Sequence, residues 1–286
     1  MFSNLRKNLL KSANALLPDA AALPGLLIIG AQKAGTSALY NYLTHHPDVY
    51  RGRKEVNYFN FNHDQGTGYY KQQFPAGTRL KIDATPSYLY HRDTPARAAA
   101  LLPDARIIVL LREPVSRAFS AWNMYRKLHA VPKNQADFQR VEAADPSQRL
   151  YSEYCQRDFP DFPTAIRREL DWIARGEDIR EPSLIRRGFY VEQIERWQEY
   201  FSREQFYFIS SADLKVEDKA RAILKELEEF LGLAGGGFDD LAFKLVHART
   251  YDTRLPDAVR GELENVFRQK NKGLEELTGL SLPWNR

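Results

Sequence analysis

Ile28-Ile29-Gly30-Ala31-Gln32-Lys33-Ala34-Gly35-Thr36-Ser37-Ala38-Leu39 is the stretch that decides the fold. An apolar run from Leu26 stops at Gly30, small residues follow to Gly35, and Thr36-Ser37 open a segment with Leu39, Tyr42 and Leu43 on one face and Pro47 as its stop. That order reads as buried strand, tight loop and helix. Such a loop aims backbone N–H groups and the positive helix end at one point, which makes an anion site; a plain tight turn between strand and helix is the alternative. The nucleotide-binding pattern GxxxxGK[ST] finds its glycines at Gly30 and Gly35, but Thr36 stands where the lysine belongs. The lysine is displaced into the loop as Lys33, and with the Thr36-Ser37 hydroxyls it favours a phosphate.

Working outward, Leu80-Lys81-Ile82, Arg106 to Leu111 and Gln205 to Ile209 are further short runs rich in branched or aromatic residues. Continuous apolar runs suit strands covered on both faces. Helical spacing lies between them: from Pro114 to Leu128, at Val191, Ile194, Trp197 and Phe201, and from Ile223 to Leu231 with Gly232 as a stop. Strands alternating with helices imply a parallel sheet flanked by helices. The expectation is an α/β fold, a single P-loop-like domain over residues 24–286 behind an N-terminal extension at 1–23. The polar stretch Pro132 to Pro163 reads as an insertion or a mostly helical lid, and Gly235-Gly236-Gly237 as a flexible loop.

The 286 residues suffice for a sizeable core, with 43% hydrophobic and 27% charged side chains. Lys+Arg 41 against Asp+Glu 37 leaves +4, too mild and scattered an excess for a dedicated nucleic-acid binder. The single Cys155 excludes an internal disulfide framework and a cysteine-based zinc site. No window holds enough uninterrupted apolar residues to span a membrane, and the N-terminus lacks the apolar core of a secretory signal. A cytoplasmic protein is expected, with the extension frayed or in weak peripheral contact with a membrane.

Arg106 to Leu111 runs through Arg112-Glu113-Pro114 into a helix that carries Ser120 about two turns on. Arg112 falls at the carboxyl end of its strand, where open α/β sheets bind ligands. Its guanidinium and the Ser120 hydroxyl suit a second phosphate; a capping arginine paired with Glu113 is the alternative.

Together these residues resemble the sulfotransferases that use 3′-phosphoadenosine 5′-phosphosulfate (PAPS), in their heparan-sulfate-type and bacterial branches. The displaced-lysine loop, Gln32-Lys33-Ala34-Gly35-Thr36-Ser37, matches the element that holds the 5′-phosphosulfate, and Arg112, Pro114 and Ser120 match the 3′-phosphate element. Lys54-Glu55-Val56-Asn57-Tyr58-Phe59, Thr85-Pro86-Ser87-Tyr88 and Arg187-Gly188-Phe189-Tyr190 before Trp197 match three further family elements in order. One departure stands out: the family's lysine before Thr-Pro-Ser-Tyr is Ala84 here, preceded by Asp83.

The resemblance implies PAPS as donor, adenosine 3′,5′-bisphosphate (PAP) as product, and no metal. It makes Lys33 the cation for the departing phosphate and Glu55 the general base, desolvated by Tyr58 and Phe59, with an ion pair to Lys54 or Arg53 on a solvated loop as the alternative for Glu55. His45 and His46, at the end of the first helix before Pro47, read as its cap, with a rival base as the alternative. Arg249, in Val246-His247-Ala248-Arg249-Thr250-Tyr251, is the expected late contact to the donor. Arg53, Lys54, Asp83 and Tyr88 are the expected acceptor-side residues, and Asp83 reads equally as a second acid, an orienter of nearby groups or a structural residue. Arg51, Arg53 and Lys54 and the Arg186-Arg187 pair suit an anionic carbohydrate or form a solvated face, and of the rings of Tyr58, Phe59, Phe61, Tyr69, Tyr70, Tyr88 and Tyr90 some suit sugar stacking while many belong to the core. A hydroxyl-bearing glycan or glycolipid is the expected acceptor, with a small alcohol or phenol still open. A P-loop small-molecule kinase and a non-catalytic nucleotide-binding scaffold are the competing readings. The displaced lysine, and Arg112 where a Walker-type aspartate would stand, count against the kinase.

Overall fold

A computed structural model describes residues 23–243 and 254–285. Its centre is a five-stranded sheet of β1 (Leu26–Gly30), β2 (Val49–Tyr50), β3 (Leu80–Ala84), β4 (Arg106–Leu111) and β5 (Phe206–Ser210). The order is β2-β3-β1-β4-β5 and every pairing is parallel, with Leu26 beside Ile82 on one side and Arg106 on the other. Burial of Leu26 to Ile29 and of Ile107 to Leu111 is complete, as a sheet covered on both faces requires. The expected strands are therefore present within a residue or two. The two-residue β2 was not foreseen, being too short to show a period.

The helices are α1 (Thr36–Leu43), α2 (Gly66–Lys71), α3 (Thr94–Leu101), α4 (Pro114–His129), α5 (Pro132–Ala144), α6 (Leu150–Tyr154), α7 (Phe162–Ala174), α8 (Tyr190–Gln198), α9 (Glu217–Leu231), α10 (Asp257–Lys270) and α11 (Leu274–Thr278). Residues 132–163 are thus largely helical. Helix α1 ends earlier than expected, with Thr44 to His46 forming the turn that precedes Pro47.

Among the described residues the chain divides into two compact units, one of 23–112, 191–243 and 275–282 and the other of 113–190, 254–274 and 283–285. The first holds the sheet. Leu39 and Leu43 of α1, Ile194 and Trp197 of α8, and Leu224 and Leu227 of α9 are all buried. Each such side chain contributes about 1.5–3 kcal/mol by leaving water. The triple-glycine segment is a hydrogen-bonded turn. The Gly236 and Gly237 amides donate to the Glu228 carboxylate at 3.3 and 2.8 Å, and a side chain at 237 would collide with the His46 ring.

The second unit is built on α4, α7 and α10, whose Val115, Phe119, Trp122, Phe162, Ile166, Leu263 and Phe267 share one core. Pro114 opens α4, and the Glu113 carboxylate caps it by accepting from the Val115 and Ser116 amides at 2.8 and 2.7 Å. Glu169 caps the next turn in the same way, accepting from the amides of Leu184, Ile185 and Arg186 at 2.6–2.9 Å.

Candidate active site

The sheet directs the carboxyl ends of β1, β3, β4 and β5 to one edge, and β1 lies where the chain leaves toward β2 and β3 on one side and β4 and β5 on the other. Such a switch point is where parallel α/β sheets take ligands. The loop after β1 is closed by backbone bonds from Ala31 N–H to Leu110 O at 2.7 Å and from Ala34 N–H to Ala31 O at 3.0 Å. Lys33 and Gly35 take left-handed backbone, φ 71° and 101°, which turns successive amides toward one side. Gly35 sits at the N-cap of α1 without a side chain to cap it, and its carbonyl accepts from the Ala38 and Leu39 amides at 2.9 and 3.2 Å. Gln32 lies in the same loop, and its buried Oε1 has no hydrogen-bond partner among the described residues.

Arg112 closes the far side of this loop. Its guanidinium donates to the Lys33 carbonyl at 2.9 Å, joining the ends of β1 and β4. Two residues beyond β5 add to this corner and were not anticipated. The Ser211 hydroxyl lies 3.9 Å from where a Cβ on Gly35 would stand. Lys215 is held below the usual lysine range by burial and then by the nearby Arg112 charge. Their one sequence signal is position, just past the carboxyl end of a strand. Ser120, 3% exposed, lies in the second turn of α4.

The Lys54-Glu55 loop approaches from β3. Lys54 Nζ donates to Ser37 Oγ at 2.7 Å and lies over the Tyr40 ring, 5.6 Å from its centroid. A second cation is thereby brought onto the first turn of α1. Glu55 is exposed, and its amide donates to the Ala84 carbonyl at 3.1 Å. Glu55 and Asn57 both hold φ 55°, a left-handed conformation that costs non-glycine residues about 1–2 kcal/mol each.

A family model of the sulfotransferase domain matches residues 23–251. The chain belongs to the sulfotransferase family. It is 31% identical over 223 residues to human heparan sulfate glucosamine 3-O-sulfotransferase 3A1, covering 77% of this chain and 47% of that protein. It is 26% identical to human heparan sulfate glucosamine 3-O-sulfotransferase 6, covering 93% of this chain and 75% of the relative. The chain thus spans under half of the first relative and three quarters of the second. Among solved structures, a sulfotransferase from Alicyclobacillus acidocaldarius shares the fold with a TM-score of 0.64 at 24% identity, covering 92% of this chain and 99% of that one.

Within this sulfotransferase fold several expected roles need correction. Asp83 and Tyr88 are wholly buried and cannot meet an acceptor. They belong to a polar cluster beneath the Glu55 loop. Tyr58 and Phe59 do not desolvate Glu55; both rings turn into the core, Tyr58 stacked on Tyr70 at 4.4 Å and Phe59 tilted against it at 5.0 Å. Of the rings offered for sugar stacking, Tyr58, Phe59, Tyr70 and Tyr88 are therefore core. Phe61 is half exposed, edge-on to His91 at 4.9 Å.

Arg187 is buried in an ion pair with Glu181, while Arg186 donates to the carbonyls of Glu177 and Ile179 at 2.5 and 2.9 Å, so the pair is no acceptor patch. His46 is also structural. Its Nδ1 accepts from the Asp48 amide at 3.1 Å, which leaves Nε2 to donate to Ala234 O at 2.9 Å. His45 is exposed at the end of the same turn, and Arg51 and Arg53 are exposed before Lys54. Arg249 lies outside the described residues.

No helix among the described residues is long and apolar enough to cross a membrane.

Proposed function

We propose that this chain transfers a sulfuryl group from PAPS to a hydroxyl of a glycan or glycolipid. The observation that carries the reading is the Arg112 bond to the Lys33 carbonyl, which joins the displaced-lysine loop and the end of β4 into one cationic corner, with Lys215 and the Ser37-bound Lys54 beside it. A doubly phosphorylated nucleotide needs such a cluster, and the left-handed loop supplies amides for it. The buried Gln32 Oε1, unpartnered among the described residues, fits an incoming donor group such as a nucleotide hydroxyl or amine.

In this reading the donor supplies the sulfuryl group and Lys33 offsets charge on the phosphate oxygen that departs. The acceptor oxygen bonds to sulfur while the bond from sulfur to the bridging phosphate oxygen breaks. The electron pair stays on the phosphate, released as PAP, and the hydroxyl proton passes to Glu55. The exposed Arg51 and Arg53 and the half-exposed Phe61 suit a sugar carrying negative charge, and the relatives' names speak of heparan sulfate.

Calorimetric titration with PAP in EDTA tests the donor site, with magnesium-ATP run in parallel. Metal-free binding of PAP that is lost in Lys33→Ala and Arg112→Ala is the expected result. Binding of magnesium-ATP alone would replace this reading with a kinase.

A further inference from the structure

We infer that Asp83 is a positioning residue whose carboxylate, acting through Tyr88 and Thr85, fixes the Glu55 loop in its left-handed conformation; the inference rests on Glu55 being the base.

The carboxylate is fully buried on β3 and accepts from three hydroxyls: Thr85 at 2.6 Å on Oδ1, and Tyr88 and Tyr70 at 2.9 Å each on Oδ2. Two of those hydroxyls are relays. Tyr88 Oη accepts from the Tyr58 and Phe59 amides at 2.8 and 3.3 Å, and Thr85 Oγ1 accepts from the Asn57 amide at 3.3 Å. A hydroxyl has one proton. Because Asp83 takes that proton from Tyr88 and from Thr85, both oxygens are committed to accepting from the loop. With Glu55 N–H on Ala84 O, four amides between residues 55 and 59 are fastened to the segment 84–88.

This fastening falls where the backbone is least willing. Glu55 and Asn57 both hold φ 55°, and such conformations persist only where the surroundings over-determine them. Tyr70 completes the cluster from α2 and stacks on Tyr58, so the carboxylate governs the loop from beneath without being exposed to the acceptor. A side chain of this kind leaves donor binding alone and acts on the placement of the base.

The test uses the full chain with three substitutions: Asp83→Asn, Tyr88→Phe and Phe74→Leu. In Asp83→Asn the amide NH₂ competes with the loop amides for the Tyr88 oxygen; in Tyr88→Phe that oxygen is gone. Phe74 packs edge-on to Tyr70 at 5.1 Å in the same aromatic cluster, so its substitution disturbs the packing and spares the polar relay. Hydrogen exchange is read on peptides covering 54–60 and 26–36, beside PAP binding and the slow release of PAP from PAPS with water as acceptor, against Glu55→Gln.

Exchange at 54–60 is expected to quicken about tenfold or more in Asp83→Asn and Tyr88→Phe, with 26–36 and the PAP affinity within about twofold of the parent. PAP release is expected to fall toward the Glu55→Gln level with the KM for PAPS unchanged, and Phe74→Leu to change neither. Equal quickening in Phe74→Leu, or none in Asp83→Asn, would overturn the inference. Loss of PAP binding in the parent protein would sink the sulfotransferase reading instead, leaving the exchange result to judge the loop on its own.

Discussion

The buried Asp83 carboxylate sets a pH dependence that can be worked through. Desolvation, opposed by the Thr85, Tyr88 and Tyr70 hydroxyls, raises its pKa from 3.8 to about 6. The gap, at about 1.4 kcal/mol per pKa unit, is about 3 kcal/mol. A folded-state pKa above the unfolded one means that stability from the neutral form is fully present below about pH 4 and is lost as pH rises through about 6. Of the 3 kcal/mol, about 1 is already lost at pH 4.5 and nearly all of the rest by pH 7.5. Asp83→Asn is neutral throughout and escapes this cost. Urea unfolding of both proteins across that range cancels every other titrating group to first order. The stability of the parent relative to the variant should fall by about 2 kcal/mol between pH 4.5 and 7.5. A difference that stays flat, or that moves in favour of the parent as pH rises, would show that the carboxylate enters the fold without a desolvation cost.

Other substitutions separate binding, catalysis and folding. Glu55→Gln should retain PAP affinity and lose at least about a hundredfold in turnover, since it removes a proton acceptor and no donor contact; calorimetry beside PAP release checks this. Gly35→Ala has room for its methyl group, the nearest atoms being 3.9 Å away, so it should cost only the left-handed backbone penalty of about 1–2 kcal/mol. Because that backbone aims the loop amides, the loss of PAP affinity should be out of proportion to the shift in unfolding midpoint. Glu113→Ala should lower stability by about 0.5–2 kcal/mol through loss of the α4 cap, measured by urea unfolding.

Much of the fold could be read from short apolar runs because β1, β4 and β5 are buried on both faces and carry little polar interruption. The loop after β1 was legible for a different reason: Gly30, Lys33 and Gly35 are constrained by local backbone needs that leave a local pattern. Asp83 was not legible as a hub. A carboxylate at a strand position gives no sign of which hydroxyls will meet it, and Tyr70 reaches it from a different element. The rings of Tyr58 and Phe59 misled for a related cause. They follow Glu55 directly, yet the left-handed turns at Glu55 and Asn57 leave the carboxylate exposed while both rings are buried. Ser211 and Lys215 reach the site only because β5 lies beside β4, a pairing no local pattern announces.

Lys54 and Glu55 are neighbours in the chain with opposite attachments, and this bears on how the site is organised. Lys54 reaches away from its loop to the Ser37 hydroxyl on α1, whereas the Glu55 backbone is tied to Ala84 at the end of β3. One dipeptide therefore bridges the helix that follows β1 and the segment that follows β3, the two strands lying side by side in the sheet. Position 84 is a buried alanine whose carbonyl accepts from the Glu55 amide, and Lys54 places a cation on the first turn of α1. The consequence is a division of labour along the sheet edge. Arg112 and Lys215 lie together at one end and Lys54 on the first turn of α1, while beneath Glu55 the structure relies on hydroxyls gathered around one carboxylate. Hydroxyl hydrogen bonds are directional and short in range, so they can fix the angle of a loop without adding to the cationic field that the donor would meet.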